Sequence, residues 1–216
     1  MRARLIAVTR PLPDTGIPED PEALVVYCAR VSSPQNQSRH GTGARLLEYL
    51  MREAHWSPFE MAHAVVEVEV PRDIARQILR HRSFAFQEFS QRYAVAYEWA
   101  ERTIRRQDRK NRQSSHDDLP RWKRALWRAA TALLVRYVAF VYAAALRLDV
   151  AKETARVILP EGLTMSRLYM AGSVRSWLHY LDVREGNGTQ TEHVRIARLI
   201  RAELAREMPS LFEDTP

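Results

Sequence analysis

Residues 66 to 70 read Val-Glu-Val-Glu-Val, and Pro71-Arg72 closes the run. Strict alternation is what a strand with one apolar and one wet face requires, and a helix cannot use it. Directly behind it, Asp73-Ile74-Ala75-Arg76-Gln77-Ile78-Leu79 has helical apolar spacing, so a strand feeds a short helix. That helix runs out into Arg80-His81-Arg82. The segment after it, Ser83-Phe84-Ala85-Phe86-Gln87-Glu88-Phe89-Ser90-Gln91-Arg92-Tyr93, has no clean period and is expected to be a binding loop carried by the scaffold. Guanidinium groups grip phosphate as planar forks, so arginines interleaved here with aromatics and hydroxyls point to an anionic, ring-bearing ligand such as a nucleotide. An arginine-rich helix end by itself more often just faces water. Its place between a strand-helix unit and an irregular polar-aromatic segment favours the ligand.

The chain has 216 residues, enough for a sizeable core in a single domain spanning 1–216. With 33 Lys and Arg against 26 Asp and Glu, its charge of +7 suits phosphorylated ligands or nucleic acid, and also serves solubility alone. The single cysteine, Cys28, excludes an internal disulfide framework and a multi-cysteine zinc site. It lies in the apolar run Ala23 to Ala29, where core packing is expected. The N-terminus turns polar too soon for a signal peptide, and no run approaches the ~18 apolar residues of a membrane span. The expectation is a cytoplasmic protein in a reducing compartment, with no membrane partner.

Along the chain, Leu5 to Val8 reads as a strand, Pro21 to Arg30 as a helix, Ser32 to Ser38 as a polar loop and Ala44 to Glu53 as a helix with His55 just beyond it. Glu101 to Asp118 is strongly charged, with Arg102, Arg105, Arg106, Arg109, Lys110 and Arg112, and is expected to be either a solvated connection or part of the function. From Arg121 to Leu148 the apolar residues recur at three and four, which predicts a long helix with one broad buried stripe. Ala151 to Leu159 predicts a helix stopped at Pro160, Leu163 to Met170 a strand, Ser173 the cap of a helix to about Leu181, and Glu192 to Glu207 a last helix. The fold class is α+β: a central antiparallel sheet flanked by long helices.

The spacing Arg80-His81-Arg82, seven residues, Ser90 resembles the signature of the flavin-dependent thymidylate synthase family. His55-Trp56-Ser57-Pro58-Phe59-Glu60 before it, and Arg156-Val157-Ile158-Leu159-Pro160 and Arg184 after it, are similar to further segments of that family in the same order. By this resemblance Gln77, Ile78, Leu79, Arg80, Glu88, Phe89, Ser90, Gln91, Arg92, Arg156 and Arg184 match positions that bind the deoxyuridylate substrate. Ser57, Arg80, His81, Arg82, Glu88, Ser173, Val174, Arg175 and His179 match positions that contact FAD, and His55 borders the folate region. Arg184 resembles the arginine that stabilises the ionised N3 of uracil and so drives electron density toward C5, a case of electrostatic catalysis. The sequence departs from the family pattern at Met61, Ser173 and Gly188.

The resemblance implies conversion of dUMP to dTMP with methylenetetrahydrofolate as one-carbon donor, FAD reduced by NADPH as hydride donor, no covalent protein nucleophile, no metal, and a homotetramer with shared sites. Ser90 is accordingly expected to bind, not attack. Two alternatives stay open at this level: a pyrimidine deoxynucleotide-modifying flavoprotein of the same fold, and a basic protein that binds nucleic acid through the 102–112 segment and its neighbouring aromatics.

Overall fold

The computed structural model describes residues 1–96, 98–186 and 188–213. Four strands, β1 (Arg2–Val8), β2 (His63–Pro71), β3 (Ala85–Glu88) and β6 (Met165–Ser173), form one antiparallel sheet in the order β1-β2-β6-β3. A separate ribbon pairs β4 (Arg106–Gln107) with β5 (Ser115–His116). The helices are α1 (Pro21–Ala29), α2 (Gly43–Arg52), α3 (Arg72–Ile78), α4 (Arg121–Arg147), α5 (Lys152–Ala155), α6 (Val174–Glu185), α7 (Thr191–Ala205) and α8 (Pro209–Phe212). This is the expected mixed fold on a central antiparallel sheet, in a single domain.

The Val-Glu alternation of β2 decides the two faces of the sheet. Val66, Val68 and Val70 are fully buried together with Leu168 and Met170 of β6, under Trp177, Tyr180 and Leu181 of α6 and Ile196 and Ile200 of α7. Each such aliphatic side chain contributes about 1.5–3 kcal/mol on burial. On the opposite face Glu67 takes Arg4 of β1 at 3.2 Å and the Tyr169 hydroxyl at 2.8 Å, and Glu69 takes Arg167 at 2.7 Å. Glu67 is thus held between a cation of β1 and a hydroxyl of β6, as the register Arg4↔Glu67↔Tyr169 places them.

The stretch after Arg82 is not all loop, contrary to expectation: Ala85 to Glu88 forms edge strand β3 against Ala171 to Leu168. Four residues are too few to show a period, and pairing with β6 supplies what propensity does not. A second correction falls on the 101–118 segment, which is not simply a solvated connection. Asp108 accepts the backbone N–H groups of Lys110 and Asn111 at 2.6 and 2.9 Å and meets His116 Nε2 at 2.6 Å, closing the β4-β5 hairpin. These hydrogen bonds hold the Asp108 carboxyl down to about 2. Much of the segment's positive charge is also neutralised internally, by Asp73 on Arg102, Glu192 on Arg105 and Asp118 on Arg106.

The third correction concerns α4. Periodicity predicts a buried apolar stripe, yet Leu133 is 71% and Phe140 70% exposed, and Val138 and Tyr142 are its buried members. Its principal neighbours in the chain are α5 and the turn Arg156–Ile158, so it does not flank the sheet. By length and composition alone it would also suffice to cross a membrane, against the expectation from a run that Arg128 and Arg136 interrupt.

Gly172 fixes the edge of the sheet. A Cβ there would lie 2.6 Å from the Phe84 ring, so only glycine lets that ring rest on the backbone of β6. Phe84 then meets Trp177 edge-on with ring centroids 4.6 Å apart. Gly172→Ala is expected to destabilise the fold by about 1–3 kcal/mol; an unchanged urea midpoint would show that the ring is not fixed there.

Candidate active site

The turn that follows α3 is pinned at several points. The His81 N–H bonds back to the Ile78 carbonyl at 3.0 Å, the Ser83 carbonyl accepts the Ser176 hydroxyl at 3.2 Å, and Phe84 sits over Gly172. Arg80 and Arg82 project outward from this fixed base. Neither has a hydrogen bond or ion pair among the described residues, and neither does the Arg156 guanidinium.

His81 is half-buried with its ring edge-on to Tyr180 at 4.8 Å. Arg184 Nε donates to His81 Nε2 at 2.7 Å, so that nitrogen is bare and the proton of the neutral ring is on Nδ1. Burial first, then the charges of Arg184 and His179, hold His81 down to about 4. Arg184 gets there because α6 runs to Glu185, one turn beyond the expected end at Leu181, which carries it over the α3 turn. One guanidinium nitrogen is engaged, and its two terminal nitrogens have no hydrogen bond among the described residues.

Gln77 lies beneath this pair, with its amide oxygen 3.2 Å from His193 Nδ1 and its amide nitrogen donating to Gln190 at 2.8 Å. Ile78 is fully buried, so only its backbone can reach a ligand, while Leu79 is half-buried. The same holds for Val174, whose side chain is in the core.

The other half of the nucleotide set is at the far end of β3. From Phe84 to Phe89 the extended chain advances ~16 Å. Glu88 accepts the Ser166 hydroxyl at 2.7 Å and lies 3.5 Å from Arg72. Ser90 and Arg92 line an open recess of about 800 Å³ with Tyr93, Asp149, Val150 and Lys152. Arg92 pairs with Glu153 at 3.3 Å. Phe89 is half-buried, and Gln91 is 5% exposed with its amide nitrogen unpartnered. Arg156 begins the turn after α5. One copy of the chain therefore does not gather all the nucleotide positions at one point.

Of the positions matched to flavin contacts, Arg175 and His179 share one cavity. It measures about 660 Å³ and is lined by Trp56, Glu60, Ser83, Arg175, His179 and Arg201 among others. Arg175 crosses to Glu60 at 2.9 Å. A hydrogen bond from Ser173, then the Arg175 charge, holds the Glu60 carboxyl below its usual range despite burial. Ser173 is the cap of α6, accepting the Ser176 N–H at 3.3 Å. Its buried hydroxyl also hydrogen-bonds the Glu60 carboxylate. Ser57 is exposed on the turn next to Trp56, and His55 is exposed with its ring edge against Tyr49.

Residues 14–210 match the family model described as thymidylate synthase complementing protein. A flavin-dependent thymidylate synthase of Synechocystis sp. is 46% identical over 212 residues, 98% of this chain and 97% of the relative. A probable flavin-dependent thymidylate synthase of Paramecium bursaria Chlorella virus 1 is 43% identical over the same shares. Among solved structures, the UMP/dUMP methylase PolB of Streptomyces cacaoi, bound with 5-Br dUMP, matches with a TM-score of 0.78 at 26% identity, covering 98% of this chain and 92% of that one. Fold and site together define a flavin-dependent enzyme of the methyltransferase class. The chain belongs to the flavin-dependent thymidylate synthase family.

Sequence reasoning misses His193 and Tyr180, because both are on apolar helix faces where periodicity assigns them to the core. His193 is fully buried, and desolvation followed by the charges of Arg184 and His81 holds it down to about 3. His81 and His193 both titrate below the ordinary value of 6.5 when folded, so the unfolded chain binds more protons as pH falls. Their contribution to stability is complete above about pH 6.5 and declines toward pH 4. The urea midpoint is expected to fall over that range less steeply in His81→Asn than in the parent chain; equal slopes would contradict the neutral, desolvated His81.

Proposed function

We propose that this chain converts dUMP to dTMP, taking the one-carbon unit from methylenetetrahydrofolate and hydride from FAD that NADPH has reduced. The observation that carries the reading is that Arg80 and Arg82, which have no counterion among the described residues, stand close in the chain to His81, the neutral histidine on which Arg184 is fixed. Unneutralised guanidiniums on a rigid base are matched to phosphate and diphosphate oxygens. The flavin supplies the hydride when bound. Arg80 and Arg82 suit its diphosphate, with Arg175 and His179 along the 660 Å³ cavity and Ser57 next in the chain to Trp56, which lines it. His55 borders the folate.

The chain's own residues do the rest by charge and position. Arg92, Arg156 and the Ser90 hydroxyl hold the nucleotide phosphate, each charge-assisted bond contributing about 1.5–3 kcal/mol. Arg184 stabilises the anionic form of the uracil N3, and its Nε bond to His81 keeps the guanidinium from swinging away. Ser90 is exposed and no described residue hydrogen-bonds its side chain, so nothing activates it as a nucleophile. Methylation assayed with dUMP and with UMP tests the reading and separates it from methylation of the ribonucleotide, the other substrate named for the Streptomyces neighbour. Arg184→Ala is expected to lose nearly all turnover, at least ~100-fold, and Ser90→Ala to keep a measurable rate; equal total loss in both contradicts this division of roles.

The separation of Arg184 from Ser90 and Arg92 along β3 implies that a second copy completes each site. The exposed apolar face of α4, including Trp122, Leu126, Leu133, Tyr137 and Phe140, suits contact between copies in a homotetramer. Leu133→Glu combined with Phe140→Glu is expected to yield a folded, smaller and inactive species by light scattering and assay. A monomer with full activity would refute the shared site.

A further inference from the structure

Below the His81 turn a line of polar groups crosses the core without interruption. Arg105, at the start of the hairpin segment, donates to Glu192 at 2.7 Å, with both side chains almost fully buried. Gln190 Nε2 donates to the same carboxylate at 3.1 Å, Gln77 Nε2 donates to Gln190 Oε1 at 2.8 Å, His193 Nδ1 is 3.2 Å from Gln77 Oε1, and the Tyr180 hydroxyl is 3.0 Å from His193 Nε2.

The direction of every bond follows from one end. Burial opposes a charge on Glu192, but hydrogen bonds from the backbone, Arg105 and Gln190 outweigh it and hold the carboxyl below its usual range. An ionised carboxylate only accepts. Gln190 must therefore turn its NH₂ toward it and its oxygen toward Gln77, which must answer with NH₂ and turn its own oxygen to His193. His193 must then donate from Nδ1, leaving Nε2 bare, and the Tyr180 hydroxyl must donate to it. Reversing any amide would set two acceptors or two donors against each other in a dry interior.

We propose that the Arg105–Glu192 ion pair is a positioning device for the nucleotide site: through Gln190 it fixes which way the Gln77 amide faces, and through His193 and Tyr180 it fixes the ring edge on which His81 rests. This rests on the reading of Gln77 as a nucleotide-binding residue. With one lone pair and one N–H already engaged, the Gln77 amide offers a ligand its remaining N–H and lone pair in a single order, which suits the imide edge of a pyrimidine. It also ties the hairpin segment, whose role composition leaves open, to the site by a continuous path.

The full-length protein, labelled with ¹⁵N-histidine, reads the chain directly by NMR, and dUMP calorimetry reads its effect. His193 is expected as the single Nδ1–H tautomer. In Glu192→Gln, where residue 192 can donate or accept, that single tautomer is expected to be lost, and dUMP affinity to drop about tenfold, one charge-assisted hydrogen bond's worth, with KM rising and kcat little changed. Arg105→Lys keeps a cation and is expected to stay near the parent affinity. Arg105→Ala carries the same test from the hairpin side should Glu192→Gln fail to fold. An Nε2–H tautomer in the parent chain, or parent-like affinity in both Glu192→Gln and Arg105→Ala, overturns the proposal. A parent chain that binds no dUMP refutes the nucleotide reading instead, and the tautomer alone then decides whether the chain of bonds exists.

Discussion

The contact on which the site depends is apolar: the Phe84 ring lying on the bare backbone at Gly172. It clamps the turn after α3 to β6 at the edge of the sheet, where Trp177 and Tyr180 close over it. Charged side chains cannot hold themselves at a surface, because ordering a long arginine costs entropy that a solvated ion pair barely offsets. Here the base under them is rigid. Arg80 and Arg82 have no ion-pair partner among the described residues, and the core below them supplies the stability.

His81 marks the boundary between that core and the charged rim. Its ring leans on Tyr180, and its Nε2 holds Arg184 in place. A protonated His81 could not accept this bond, so desolvation of the imidazole and placement of the arginine are one constraint.

Much of this is legible in the sequence where local chemistry and tertiary demand coincide. The valines of β2 point inward, Ser173 caps α6, and α3 ends at Ile78, just before Arg80, as alternation, capping preference and apolar spacing indicate. Strand β3 is not legible, because its pairing comes from β6, and the full length of α6 is hidden because Asp182 and Arg184 look like the polar end of a helix. The exposed stripe of α4 misleads for a physical reason: periodicity reports that a face wants burial and does not say whether the same chain covers it. The candidate arginines stand out in the sequence, but their division between the two ends of β3 belongs to the fold and not to spacing. The polar line through His193 carries no sequence signal, since each member resembles a core or cap residue when taken alone.

The central claim is that a flavin site and a pyrimidine nucleotide site adjoin on this scaffold. Visible absorption of the purified protein supplied with FAD, recorded before and after dUMP, tests it most directly. Flavin bands that shift or change shape on addition of dUMP are the predicted result. A protein that takes up no FAD, or whose bound flavin does not respond to dUMP, would contradict it.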